Sequence, residues 1–197
     1  MDSSSFSQLA VLSAIFIAVA ALFLLLLFIS EAPRREALER IAKRFSGKAS
    51  WLFGTTKGVF QGTAFSLKLI PGGASRPPRL LLQLFKGMPF SLRVYRENSG
   101  SGFAKSLGIA REVRINDSSF DSQFRIFSSR PVQAVHFLSV PTKNILRELF
   151  SEGFGSFRVD EHAVSVLKAN YVLEQDLEPE RVERLLRRII STVGGPG

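Results

Sequence analysis

Apolar residues follow three rules along this chain, and each rule predicts a different element. From Leu9 to Ile29 they are continuous: 21 residues with no charge and one hydroxyl, Ser13. At about 1.5 Å per residue, a helix of that length crosses a hydrocarbon layer of roughly 30 Å. Backbone amides in lipid pair only internally, so the stretch reads as an N-terminal transmembrane helix. A cleaved signal peptide fits less well. The leader MDSSSFSQ carries no Lys or Arg, and the apolar run is longer than the usual core of such peptides.

From Ala49 the rule is alternation. Val59 to Ile70 places Phe65, Leu67 and Leu69 on one side and Ser66 and Lys68 on the other, a half-buried strand. Pro71-Gly72-Gly73 to Pro77-Pro78 is a turn and loop. Arg79 to Phe85 is a nearly continuous apolar run and reads as a central strand. Phe90, Leu92 and Val94 alternate with polar neighbours, and NSGSG at 98–102 is a flexible loop. Val113 with Ile115, then Phe124 to Phe127, predict two more strands, and Phe157 to Leu167 predicts a hairpin about Asp160-Glu161-His162.

The third rule is helical spacing. Leu38, Ile41, Ala42 and Phe45 make one stripe in residues 31–46. Pro131 to Leu138 predicts one or two helical turns, and Ile145, Leu146, Leu149 and Phe150 mark a helix after Pro141 that Gly153 closes. From Pro179, Val182, Leu185, Leu186, Ile189, Ile190 and Val193 define an amphipathic C-terminal helix ended by Gly194 and Gly195. Strands first and helices later predict an α+β domain, an antiparallel sheet packed with helices. The divisions are a short leader 1–8, a transmembrane helix 9–29, a basic juxtamembrane helix 30–48, an α+β cytoplasmic domain 49–193 and a flexible tail 194–197.

Charge sharpens this picture. The net charge is +9, and residues 40–96 hold 11 Lys or Arg and no acid. Lys and Arg follow the apolar span and none precede it, which predicts an N-terminus outside and a cytoplasmic domain at the cell inner membrane. Cytoplasmic leaflets carry anionic lipid, and each nearby Lys or Arg contributes about 1 kcal/mol of attraction. Arg34, Arg35, Arg40, Lys43, Arg44 and Lys48 are therefore the candidate membrane-surface residues. The expected partners are the lipid bilayer with its anionic headgroups and a protein of unknown identity. Small residues Ala10, Ser13, Ala14, Ala18 and Ala21 make the span itself a candidate self-association face. Nucleic acid is disfavoured, since no RNP-like or helix-turn-helix pattern occurs.

Candidate chemistry is sparse. The GxxxGxxxG spacing of Gly54, Gly58 and Gly62 is not a phosphate loop, because no Lys-Ser/Thr pair follows a glycine; turns and bulges are its reading. His136 and His162 form no metal-binding pair, and there is no cysteine. Asp117 with Asp121, and Asp160 with Glu161, lie in turn-like sequence where Asp satisfies backbone amides. No cofactor, no metal and no catalytic activity is expected. The competing expectation is an enzyme whose pocket gathers His136, Asp121 and Arg125.

Phe120-Asp121-Ser122-Gln123-Phe124 with Arg125, Ile126, Phe127 and Ser128, then Pro131-Val132-Gln133-Ala134, Leu138, a helix and the Phe157–Leu167 hairpin, form a recognisable series. The series resembles a pattern in uncharacterised bacterial membrane-anchored α+β domains: an FD-x-x-F strand, a short helix, a second helix and a β-hairpin. The resemblance implies an anchored α+β domain and carries no activity. It implies core roles for Phe120 and Phe124 and a capping role for Asp121. The function expected is a single-pass, non-catalytic interaction module held at the membrane surface.

Overall fold

The computed structural model describes residues 16–22, 31–97 and 111–194. The chain divides into two compact units, 1–36 and 37–197, and the second carries the sheet. The predicted span requires correction. Residues 16–22 are helical, while 9–15 and 23–29 lie outside the described residues. Among the described residues no helix is long and apolar enough to cross a membrane. The described residues form an α+β fold, and the N-terminal transmembrane helix, with the single-pass reading that depended on it, is not shown. The leader, the 98–102 loop and residues 195–197 also fall outside the described residues.

Nine strands form one sheet in the order β1-β2-β3-β4-β9-β8-β5-β7-β6. They are β1 (Lys48–Ser50), β2 (Thr55–Phe60), β3 (Thr63–Ile70), β4 (Arg79–Leu84), β5 (Leu92–Arg96), β6 (Arg111–Val113), β7 (Phe124–Ser128), β8 (Phe154–Val159) and β9 (Val164–Ala169). Every pairing is antiparallel. The single strand expected over 59–70 is in fact a hairpin. Gln61 (φ 48°) and Gly62 (φ 75°) both adopt left-handed backbone and turn β2 into β3. Such a pair matches the twist of a two-residue hairpin loop.

Six helices are labelled: α1 (Ala32–Arg44), α2 (Ser118–Asp121), α3 (Pro131–Phe137), α4 (Val140–Ser151), α5 (Leu173–Asp176) and α6 (Pro179–Val193). The periodic stripes form α1, α4 and α6, and their buried residues join the core of the sheet, whereas α2 and α5 are single turns without a stripe. From α1, Leu38, Ile41 and Phe45 are buried, and Phe45 packs edge-on against Phe60 (6.0 Å) and Phe65 (5.1 Å). Thr56 Oγ1, fully buried, donates to the Leu38 carbonyl at 3.1 Å. Gly58 makes this approach possible, because a Cβ there would lie 2.9 Å from the Phe65 ring and 3.0 Å from Phe45 Cβ. On the other half, Phe120, Phe124 and Phe150 pack in series as tilted ring pairs at 4.5 and 4.8 Å. Val182, Leu186 and Ile189 of α6 complete the core.

Candidate interaction surface

Alternation has two products, and the second is the open face of the sheet. Inward positions such as Phe65, Leu67, Leu82, Val94, Ile126 and Val166 are buried beneath the helices. Outward positions are half-buried or exposed except Ser66, which is buried, and no described helix packs its buried stripe on them. The registers join them into one row across all nine strands: Lys48, Lys57, Ser66, Gln83, Ser165, Arg158, Arg93, Phe127 and Glu112. A second row runs Thr55, Lys68, Leu81, Leu167, Ser156, Tyr95 and Arg125.

Two pairs in the first row set like charges directly opposite each other, Lys48 with Lys57 and Arg93 with Arg158. That arrangement destabilises a sheet. Arg158 is partly relieved by Asp160 at 3.0 Å, and Arg125 by Glu97 at 2.8 Å. Hydrogen bonding to Arg125 lowers the Glu97 carboxyl below its ordinary range. The acid-free half, β1 to β4, has no such partner within its own sequence.

Of the basic residues picked out from sequence, Arg34, Arg35, Arg40, Lys43 and Arg44 lie on α1 and Lys48 opens β1. Arg34 and Arg35 belong to the first unit, where Arg34 bonds Glu31 at 3.1 Å. Arg40, Lys43 and Arg44 are exposed on α1, and Arg44 bonds Glu183 of α6 at 2.8 Å. That hydrogen bond raises Arg44 and lowers Glu183 from their ordinary values. Lys48 stands on the open sheet face beside Lys57.

Sequence reasoning missed Trp51, Leu52 and Phe53, which are 44, 72 and 74% exposed in the turn joining β1 to β2. The signal was present: three consecutive large apolar residues between Ser50 and Gly54-Thr55-Thr56, a run that fits neither alternation nor helical spacing.

The carboxylates are structural. Asp117 caps α2: its Oδ1 accepts from the Phe120 amide at 3.2 Å and Ser119 Oγ at 2.8 Å, while Oδ2 accepts from Lys143 Nζ at 2.5 Å. Lys143 first, then Ser119, hold this carboxyl well below the usual range. Asp121, expected to cap, instead accepts from the Ile115 amide at 3.2 Å. Asp160 accepts from the amides of His162 and Ala163. Burial alone would raise its carboxyl, but those amides and Arg158 bring it below the ordinary value.

Asp121 and Arg125 line one hollow of about 240 Å³, together with Glu97 and Glu112; exposed His136 does not line it. A second hollow, about 190 Å³, holds buried Asp176, but Lys168 (2.8 Å), Arg181 (3.4 Å) and the Val172 amide (2.9 Å) already occupy that carboxylate. Among the described residues no group of three or more metal-ligating side chains comes together.

A broad antiparallel sheet with helices on one face and a cationic open face defines the structural class. No family model and no curated protein matches the sequence. Among solved structures the chain is similar to the mycobacterial trehalose monomycolate transport factor A, TtfA. The TM-score is 0.58 at 9% sequence identity, covering 82% of this chain and 94% of that one. At that identity the likeness shows the fold alone.

Proposed function

We propose that this protein is a non-catalytic interaction module that binds a polyanionic partner through the open face of its sheet. The observation that carries the reading is the cross-sheet row with its two like-charge pairs, Lys48–Lys57 and Arg93–Arg158. Charges placed at a cost to folding are relieved when an anion arrives between them. The protein of similar fold is named a transport factor, which accords with a binding role on this fold. We place the module at the inner membrane by surface contact.

Heparin serves as the polyanion in the test. The full chain is retained on a heparin column, and Lys57→Gln/Lys68→Gln/Arg93→Gln elutes at clearly lower salt. Arg40→Gln/Lys43→Gln, which removes two cations from the helical side, shifts elution less. Equal shifts from both variants, or none from the first, contradict the reading.

A further inference from the structure

We propose that the β1–β2 hairpin is a lipid-insertion element: Trp51, Leu52 and Phe53 enter the interface of an anionic phospholipid bilayer, and Lys48 and Lys57 bind its headgroups. The proposal rests on the polyanion-binding reading of the open face and names its partner. Two independent observations meet in one hairpin. The first is the tip. Its three large apolar side chains are exposed, yet its backbone is fully organised. The Gly54 amide donates to the Trp51 carbonyl at 3.0 Å, Thr55 Oγ1 to the Phe53 carbonyl at 3.1 Å, and the Leu69 amide to the Gly54 carbonyl at 2.7 Å. The turn is therefore ordered while its side chains are exposed.

The second observation is charge. Lys48 and Lys57 face each other at the base of the same hairpin, exposed Lys68 stands on the next strand, and no acid occurs between residues 40 and 96. An exposed apolar tip with cations at its base complements a bilayer, whose apolar interior lies beneath a layer of phosphates. A protein partner would need a pocket shaped to three large side chains; a fluid interface needs none, and tryptophan is favoured there. Nucleic acid would use the cations but leave Leu52 and Phe53 in water.

Trp51 is the single tryptophan of the chain, so tryptophan fluorescence excited selectively at the red edge, away from the two tyrosines, reports on the tip alone. The full chain is mixed with phosphatidylcholine vesicles with and without phosphatidylglycerol, carrying brominated acyl chains. The expected result is a blue shift and bromine quenching that depend on phosphatidylglycerol. Leu52→Ser/Phe53→Ser abolishes both. Lys48→Gln/Lys57→Gln, which relieves repulsion and so keeps the fold, raises the lipid concentration at half-maximal shift roughly thirty-fold. No shift, or an equal shift on phosphatidylcholine alone, overturns the proposal. So does a shift with a single-stranded oligonucleotide but not with vesicles. If retention on heparin persists while Trp51 stays unshifted, the insertion proposal falls and the polyanion reading stands; loss of both removes both.

Discussion

At the scale of single residues, two kinds of charge behave oppositely. Asp117 is fully employed in folding: it caps α2 and pairs with Lys143. Its folded carboxyl ionises at lower pH than in the unfolded chain. The stability it contributes is therefore complete above about pH 4 and lost as pH falls through the folded value. Asp117→Asn keeps a capping oxygen but loses the charge. Thermal melts across acid pH should show a lower Tm at neutral pH and a flatter acid limb. An unchanged pH profile contradicts the ion pair's role. Lys57 is the opposite case. It faces Lys48 across the strands, so Lys57→Gln should raise Tm slightly while weakening polyanion binding. A fall in Tm would show that Lys57 serves the fold.

At the scale of elements, the stripe of α6 carries much of the core. Leu186 is fully buried, so Leu186→Ala should cost about 2–5 kcal/mol in urea unfolding. The β2–β3 turn predicts the other sign. Gln61 sits at φ 48°, a conformation disfavoured by its Cβ, so Gln61→Gly should stabilise by about 0.5–1 kcal/mol. A loss of stability would mean the Gln61 side chain has a role in the turn.

These elements also show what sequence makes legible. The α6 stripe, α4 and the hairpin of β8 and β9 were readable because burial on one face imposes a period. The Gln61-Gly62 turn was not. Apolar alternation continues on both sides of it, so the period hides the reversal. The apolar stretch 9–29 lies mostly outside the described residues, and among those described no helix is long and apolar enough to cross a membrane. Asp117 was legible as a turn residue, but its partner Lys143 lies 26 residues away and only the fold unites them. The exposed tip 51–53 breaks every period, and periodic reasoning passed over it.

At the scale of the whole molecule, the second unit separates two tasks onto two faces. One face packs against helices and supplies stability; the other is left to solvent and concentrates cations in the strands nearest β1. Short edge strands, three residues each in β1 and β6, limit sheet-to-sheet pairing, which leaves the broad face as the contact surface. Lysine-reactivity footprinting tests this division most directly. In the heparin complex of the full chain, acetylation of Lys48, Lys57 and Lys68 should fall sharply while Lys43 on α1 reacts as in the free protein. Protection of Lys43 with Lys57 and Lys68 unprotected would contradict the account.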